Sequence, residues 1–329
     1  MSTRTFFTVP LGAGSQKTPN AEVDTVKTST DLISKSDRDA SFFRTLERRG
    51  IYLNDPQIQA VRHFKGPLLT LAGAGSGKTS VLVCRTGYLI AVRNVNPKNI
   101  LLVTFSKKAA EEMRDRIEHL PGLSESIAAS IQARTFHSFF QNHQKTRCNA
   151  GHPERNPLQH ILLKRILREM GLQDAYQPES LLSLLSSYKM QMVNVESLPG
   201  TTDEEKELKQ IFAEYEKWKS ANDKIDFDDV LLIAYNMLRQ QPSLLVALQK
   251  RFLYVMVDEF QDTNIVQYDQ DDHRTAPEPD DRRRRRPDHF SFNGARNEFI
   301  LNFNKLYHDA KTITLDINYR STKQYRRAR

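Results

Sequence analysis

The sequence contains little cysteine, and its cysteines are poorly placed for a disulfide or a metal. Cys84 and Cys148 are the only two among 329 residues, and no CxxC pair occurs. A disulfide-stabilised secreted domain is therefore excluded, and both side chains are expected to be reduced thiols. A zinc site is not expected, because zinc takes about four ligands and only His152 lies near Cys148 in the sequence.

Long hydrophobic runs are also lacking. No apolar stretch approaches the ~18 residues that span a bilayer. The start "MSTRTFFTVPLGAG" has no long apolar core of the kind found in secretory signals. The sequence thus predicts no membrane partner and a cytoplasmic location.

The composition is that of a globular protein with a basic surface. Hydrophobic residues make up 39% of the chain, which is enough for two domains that each bury a core. The net charge of +8 favours a polyanionic partner. Charge alone does not decide this, since many soluble proteins are mildly basic without such a partner.

Hydrophobic patterning divides the chain into segments. Residues 1–37 are rich in Ser and Thr without apolar periodicity, which predicts a disordered tail. Strand-like and helical runs alternate over 38–155, and this alternation predicts an α/β domain with a parallel sheet. Residues 156–238 are almost wholly helical and predict an inserted helical subdomain. Strand patterns return over 239–295, which is assigned to the same α/β domain.

The segment "LLTLAGAGSGKTSVLV" combines an apolar strand, a glycine-rich turn and an apolar helix, which is the context of a P-loop. Glycines let backbone N–H groups converge on phosphate oxygens at a helix N-terminus. Lys78 is expected to reach the β- and γ-phosphates, and Thr79 to bind Mg²⁺. The strict pattern GxxxxGK[ST] has Ala72 at its first position, a small departure. The predicted nucleotide-binding residues are Ala72, Gly73, Ala74, Gly75, Ser76, Gly77, Lys78, Thr79 and Ser80.

A second glycine-rich stretch, "LGAGSQKT" at 11–18, looks similar but is not expected to bind nucleotide. Gln16 replaces the glycine that precedes the lysine in a P-loop. No apolar strand is predicted before it, and "PNAEVDT" follows where a helix should begin.

Acidic residues follow another apolar strand in "FLYVMVDEFQDTN". Asp258 can hold Mg²⁺, and Glu259 can orient or deprotonate an attacking water. An acidic pair after a strand is weak evidence alone, and the P-loop strengthens it. Lys78, Asp258 and Glu259 are therefore the expected catalytic groups of a nucleoside triphosphatase.

Seven motifs occur in the order typical of one family, and they are "LNDPQIQAV", "AGAGSGKT", "TFSKKAAEEM", "ARTFHSFF", "DFDDVL", "VDEFQDTN" and "LDINYRST". From about Phe42 to Gln324, the chain resembles superfamily 1 DNA helicases of the UvrD/Rep/PcrA type. The resemblance implies two RecA-like domains that close on ATP and move along single-stranded DNA, usually 3′ to 5′. It also implies ATP and Mg²⁺ as cofactors, and single-stranded DNA and single-strand/double-strand junctions as partners.

The same resemblance gives roles to further residues. It implies that Gln57 reads the adenine edge and that Arg320 contacts the γ-phosphate as a catalytic group. Residues 296–329 would then begin a second RecA-like domain that the chain does not complete. The chain is accordingly expected to be an impaired helicase fragment. The alternative is a nucleotide- and DNA-binding module without motor activity.

Two strand ends carry candidates for DNA contact, because hydroxyls suit phosphates and aromatic rings suit stacked bases. The alternative is that Phe105 and Phe136 pack in the core, and the resemblance favours DNA contact. The DNA-binding residues assigned in this way are Thr104, Phe105, Thr135, Phe136 and His137.

The motif "DFDDVL" carries three carboxylates, on Asp226, Asp228 and Asp229. Carboxylates repel phosphate, so direct contact with the DNA backbone is not expected. An N-cap or loop-organising role is favoured over metal binding.

A run of arginines interrupts the family pattern. Related sequences carry something like "GDDDQTIYSFNGA" between DEFQDTN and NYRST, whereas here "RRRRPDHF" precedes an intact "SFNGA". The codons GGC GAC GAC GAC CAG ACC ATC encode GDDDQTI. When a C precedes these codons and translation starts at that C, one base early, the same bases encode RRRRPDH. This sequence matches Arg283 to His289. We therefore interpret about Asp269 to Phe290 as an out-of-frame segment.

This interpretation changes two expected nucleotide contacts. Pro287 would take the place of a γ-phosphate-sensing glutamine, and it has no side-chain amide. Phe290 would take the place of a base-stacking tyrosine and could still stack on the base. The competing interpretation is a native basic loop that binds nucleic acid.

Sequencing the encoding DNA tests the out-of-frame interpretation. We expect a neighbouring frame across this segment to encode GDDDQTI, because the match to Arg283–His289 spans seven consecutive codons. Arginine codons without such a neighbouring frame would instead support the native basic loop.

Overall fold

The structure is a computed structural model, and the chain divides into two compact units. Unit 1 comprises the described parts of 1–135, 245–261 and 297–329, and unit 2 those of 136–244 and 262–296. The residues that the structure describes are 4–10, 26–120, 122–145, 156–198, 200–263, 300, 303–307 and 309–319.

Unit 1 is built on a parallel sheet, which has six strands over the described ranges. The strands are β1 Arg4–Pro10, β2 Leu68–Ala72, β3 Ile100–Thr104, β4 Gln132–Thr135, β5 Tyr254–Val257 and β6 Lys311–Leu315. Their order is β4-β3-β5-β1-β2-β6. Every residue of β3 and β5 is buried, as expected when both faces of a parallel sheet are covered. The predicted α/β fold with a parallel sheet is confirmed.

The helices follow the apolar periodicity of the sequence. They are α1 Ser29–Leu32, α2 Ala40–Glu47, α3 Asp55–Arg62, α4 Lys78–Ala91, α5 Lys107–Glu118, α6 Glu125–Ser130, α7 Phe136–Lys145, α8 Asn156–Glu169, α9 Pro178–Met190, α10 Asp203–Ala221, α11 Phe227–Gln240, α12 Pro242–Arg251 and α13 Phe303–Leu306. In unit 1, Phe43, Leu46 and Leu89 from α2 and α4 pack in one core with Ile100 and Met256 of the sheet. None of the described helices is long and apolar enough to span a membrane.

The predicted disordered tail over 1–37 is wrong in two places. Arg4–Pro10 forms β1, which pairs with β2 on one side and β5 on the other. Ile33, just after α1, is only 3% exposed and joins the core of unit 1. The expectation that no strand precedes "LGAGSQKT" is wrong for the same reason, although 11–25 lie outside the described residues. Sequence periodicity missed β1 because its partners are distant in the chain.

The assignment of 296–329 to a second domain is also wrong for the part that the structure describes. β6 pairs with β2 over five residue pairs, from Leu68 with Lys311 to Ala72 with Leu315. The strand therefore belongs to the sheet of unit 1. The strand that precedes the NYRST motif is thus part of the first domain and lies beside the P-loop strand.

Unit 2 is helical wherever the structure describes it, apart from turns and loops. Its core joins α8, α9 and α10 through residues such as Leu163, Leu185 and Phe212. The expected helical segment began at 156, whereas the compact unit begins with α7 at Phe136 and continues to Leu244. The difference arises because "FHSFF" was interpreted as the end of a strand, and only Thr135 ends one.

A buried network of charges joins three helices of unit 2. The Lys189 ammonium lies 2.6 Å from a carboxylate oxygen of Asp226, and that of Lys219 lies 2.7 Å from the same oxygen. Both lysines also contact Asp229. Burial raises the pKa of Asp226, but the two lysines outweigh burial and bring it down to about 2.

The aspartates of this network also cap α11. The Asp226 side chain accepts from the Asp229 N–H, and the Asp229 side chain accepts from the Asp226 N–H. The N-cap role predicted for "DFDDVL" is confirmed. Glu216 lies with these aspartates in a group that could hold a metal ion. The two lysine ammonium groups already offset two of its three negative charges and occupy its carboxylate oxygens, which argues against a cation.

Replacing Lys219 tests the contribution of this network to stability. Lys219→Met should lower the free energy of unfolding by about 3 kcal/mol, because it leaves buried carboxylates with one lysine instead of two. Trp218, the only tryptophan, packs against the unit 2 core and reports urea unfolding of this unit by fluorescence.

The matched control is Lys217→Met on the other side of Trp218. Lys217 is 75% exposed and lies 3.5 Å from Glu214, so its replacement should cost less than about 1 kcal/mol. Equal urea midpoints for the two variants would contradict a stabilising role for the buried network.

Candidate functional site

The glycine-rich loop lies where parallel sheets bind phosphates. β2 ends at Ala72, and α4 begins at Lys78, so the loop connects the carboxyl end of a strand to a helix N-terminus. Ser76 closes the turn, with its N–H and its hydroxyl both donating to the Gly73 carbonyl. The predicted P-loop residues from Ala72 to Ser80 therefore form one strand–turn–helix unit. Such a unit offers free N–H groups and a positive helix end to an anion.

Gly77 is the position where the loop most requires glycine. Its φ is +85°, in the left-handed region, and a Cβ there would lie 2.9 Å from Nε2 of Gln57. The same Gln57 nitrogen donates to the Ser76 carbonyl at 2.9 Å. The loop is thus held closely against α3.

Gln57 is 4% exposed, and both the oxygen and the nitrogen of its side-chain amide form hydrogen bonds. Besides the Ser76 contact, its Oε1 accepts from the Asn54 N–H at 2.9 Å. Asn54 in turn accepts from the Gln57 N–H, which completes a capping box at the start of α3. In this arrangement Gln57 supports the P-loop, and its adenine contact stays a prediction.

Tyr319 ties the NYRST motif to the nucleotide loop. Its N–H donates to the Gly75 carbonyl at 2.9 Å, and its hydroxyl accepts from the Asn54 amide at 2.8 Å. Tyr319 is 41% exposed, so part of its ring faces solvent beside the loop. Arg320 was the residue predicted from this motif, and Tyr319 was not predicted, although an aromatic residue next to the predicted arginine was a usable signal.

The P-loop lysine and the strand-end glutamate meet directly. Nζ of Lys78 donates to Oε2 of Glu259 at 2.8 Å. Glu259 has a φ of +51°, in the left-handed region that is uncommon for a residue with a side chain. Lys78 is 14% exposed and Glu259 38%, so the pair lies at a partly open edge.

Asp258 follows β5 directly and is 7% exposed. Its N–H donates to the Val103 carbonyl at 2.9 Å, so it continues the pairing between β5 and β3. Because the described strands are all parallel, Asp258, Glu259 and the loop after β2 lie at the same edge of the sheet. The structure therefore brings together Lys78, Thr79, Asp258 and Glu259 at one edge. An ammonium, a hydroxyl and two carboxylates at one edge are a donor set of the kind that could hold a phosphate and a divalent cation.

The predicted DNA residues of unit 1 differ in exposure. Thr104 is 1% exposed, and its hydroxyl donates to the Ser106 carbonyl, so it supports the turn before α5. Phe105 and Thr135 are half-buried at the ends of β3 and β4. Of the three, Phe105 and Thr135 offer surface to a ligand.

In unit 2, Phe136 is 4% exposed and packs in the interior, which was the alternative left open by the sequence. Its assignment to DNA stacking is corrected, because a buried ring has no free face. His137 is half-buried, and burial lowers its pKa to about 4, so the ring is neutral at physiological pH.

Phe227 was missed by the sequence analysis, which considered only the carboxylates of its motif. Its ring is 56% exposed and stacks on His137, with centroids 3.5 Å apart and planes 14° apart. One face is thus covered by the imidazole. A large exposed ring at the start of α11 is the kind of surface on which a base can stack.

Several predicted residues lie outside the described part of the chain, namely Phe290, Pro287, Arg320, Cys148 and the segment 269–290. Cys84 is described and is a free thiol on α4. Burial raises its pKa to about 12, which suits an unreactive core residue. The expected reduced state is confirmed for Cys84.

Comparison with known proteins agrees with this geometry. The model of the UvrD/REP helicase N-terminal domain matches residues 53–270, which is more than half of the chain. The chain is 35% identical over 311 residues to the putative ATP-dependent DNA helicase YjcD of Bacillus subtilis, an alignment covering 90% of this chain and 40% of that protein.

Two further relatives are similar to the chain over most of its length. The ATP-dependent DNA helicase PcrA of Leuconostoc citreum is 34% identical over 286 residues, covering 82% of this chain and 37% of that protein. PcrA of Bacillus subtilis is 35% identical over 292 residues, covering 84% and 38% respectively. The chain thus spans about two fifths of the length of these relatives. The resemblance inferred from the motifs is confirmed, and the chain belongs to the UvrD/REP helicase family.

Proposed function

We propose that this chain binds and hydrolyses ATP with Mg²⁺ and serves as the P-loop part of an ATP-dependent DNA helicase that moves 3′ to 5′ on single-stranded DNA. The observation that carries the proposal is the contact between Lys78 and Glu259 at the carboxyl edge of a parallel sheet. It joins the P-loop to the acidic motif, the two halves of a nucleoside triphosphatase site. Unit 2 is proposed as the helical subdomain inserted into the first RecA-like domain.

Each group at the sheet edge has a role that its chemistry supports. The N–H groups of the loop and Lys78 hold the phosphates, while Thr79 and Asp258 hold Mg²⁺. When bound, Mg²⁺ neutralises charge on the phosphates. Glu259 is released from Lys78 when phosphate takes the ammonium, and its carboxylate then orients the attacking water.

Tyr319 and Arg320 extend the nucleotide site. The exposed part of the Tyr319 ring offers a stacking surface for the base, beside Gln57 and the loop that Gln57 supports. Arg320 is the next residue after Tyr319, whose N–H bonds to Gly75. This short connection supports the proposed contact between Arg320 and the γ-phosphate.

The DNA side of the proposal rests on exposed rings. Phe227 presents one free face while His137 covers the other, so the ring is already fixed in orientation. Phe105 and Thr135 supply a half-buried ring and a hydroxyl at two strand ends of unit 1. Stacking on aromatic rings does not depend on base identity, which suits a protein that must move along any sequence.

ATP turnover with and without single-stranded DNA tests the enzymatic proposal. We expect slow, DNA-stimulated phosphate release by the purified chain, in keeping with the impaired activity expected from its sequence. Lys78→Ala should lower this release roughly 100-fold, because the charge that positions the phosphates is lost. The measurement is a coupled phosphate assay with oligothymidine.

Lys98→Ala is the matched control, since Lys98 is exposed and precedes β3, at the opposite edge of the sheet. Its turnover should equal that of the unchanged chain. ATP binding without turnover would favour the second candidate, a nucleotide- and DNA-binding module without motor activity. Absence of ATP binding would overturn both.

Substitution of Phe227 tests the DNA surface. Phe227→Ala should weaken the binding of a fluorescent oligothymidine roughly tenfold, because stacking on one ring contributes about 1–3 kcal/mol per base. Binding is followed by fluorescence anisotropy at fixed low salt, since phosphate contacts make affinity salt-dependent.

Two conservative variants separate stacking from simple apolar contact. Phe227→Trp keeps an aromatic face and should bind like the unchanged chain, whereas Phe227→Leu keeps an apolar side chain and should bind like the alanine variant. Unchanged affinity in all three variants would remove Phe227 from the proposed DNA surface.

A further inference from the structure

The strand β1 lies between the two strands that carry the proposed ATP site. Phe6 pairs with Leu68 of β2 and with Met256 of β5. Phe7 pairs with Leu69 and Val257 in the same way. Among the described strands no ladder joins β2 to β5 directly. The segment is also outside residues 53–270, which the family model matches.

The position of β1 determines how far apart the two halves of the site lie. Neighbouring strands in a sheet are about 4.8 Å apart, so β2 and β5 are separated by about 9.6 Å with β1 between them. Direct pairing of β2 with β5 would halve this separation. The loop after β2 and the carboxylates after β5 would then be crowded together at the same edge.

The end of β1 coincides with the start of the phosphate loop. Pro10 pairs with Ala72, the last residue of β2 before Gly73. Proline has no N–H to donate, so it suits the end of a strand and not its middle. β1 therefore supports β2 along its length and stops where the loop turns away.

Central backbone pairing makes β1 costly to remove. The backbone groups of β2 and β5 that face β1 would lose their partners in two strands whose residues are buried, apart from the partly buried Leu71. The separation between β2 and β5 would no longer be fixed. The P-loop and the carboxylates after β5 would then no longer be held at a defined distance from each other.

We propose that the N-terminal strand Arg4–Pro10 is a positioning element of the ATP site, a spacer that keeps the P-loop strand and the DEFQDTN strand two strand widths apart. The inference rests on the proposed nucleotide site. It assigns a role in ATP binding to a segment that carries no nucleotide motif of its own and that sequence patterning placed in a tail.

Hydrogen–deuterium exchange on the unmodified chain tests whether β1 occupies this position. The amides from Thr5 to Val9 should exchange at least about 100-fold more slowly than in an unstructured peptide, because central strands open only with the sheet. Exchange of these amides at the unstructured rate would overturn the proposal, whatever the chain does with ATP.

A pair of variants at Phe7 tests the positioning role. Phe7→Pro removes an N–H in the middle of the strand, and Phe7→Val keeps the N–H and suits a strand. We expect Phe7→Pro to weaken the binding of a fluorescent ATP analogue about tenfold and Phe7→Val to leave it unchanged. Binding is measured at a temperature where circular dichroism shows both variants folded.

The outcomes separate this inference from the proposed function. If the unmodified chain binds the analogue and the folded Phe7→Pro variant binds equally well, the spacer role is overturned while the nucleotide site stands. If the unmodified chain does not bind it, the nucleotide site fails, and exchange at Thr5–Val9 still decides the position of β1. Should Phe7→Pro not fold, Phe7→Gly weakens the strand without removing the N–H, and equal ATP binding by that variant would also overturn the role.

Discussion

The arrangement of the candidate site depends on parallel pairing of the strands of unit 1. In a parallel sheet all carboxyl ends lie at one edge, so residues far apart in sequence meet without further design. Lys78 and Glu259 are 181 positions apart, yet their side chains are within 2.8 Å. Antiparallel insertion of either carrying strand would place the two groups at opposite edges.

A second set of contacts fixes the loop on this frame. The capping box of Asn54 and Gln57 begins α3, and the same two side chains reach Tyr319 and the Ser76 carbonyl. One helix N-terminus therefore organises the P-loop from one side while β6 supports it from another, where Gly73 donates to Leu315. Because the Gln57 amide bonds both the cap and the loop, replacement of Gln57 would disturb local folding and nucleotide binding together.

The sequence was most informative where chemistry is local. A strand, a glycine turn and a lysine within a few residues define the P-loop. The motif "DFDDVL" likewise contains the residues that form the N-cap of α11, so the cap could be predicted from the motif alone. It missed the strand Arg4–Pro10 and assigned the strand at 311–315 to a second domain, because periodicity does not show which strands pair in a sheet. It also could not separate Phe105 from Phe136, since both follow strands and only packing decides that the second is buried. Phe227 was missed because the motif was interpreted from the charges of its aspartates, and the aromatic ring between them was not considered.

The ion pair at the sheet edge shows how the site tolerates the exchange of ligands. Lys78 is mostly buried, and an unpaired ammonium in that position would be costly, so a partner must be present before phosphate arrives. Glu259 fills this role and is 38% exposed, which means that water can solvate its carboxylate when it leaves. The Lys78 ammonium can therefore exchange its carboxylate partner for a phosphate without being left unpaired in a mostly buried position. The freed carboxylate remains at the edge where a water must be oriented, so one contact accounts for both the resting state and the proposed catalytic one.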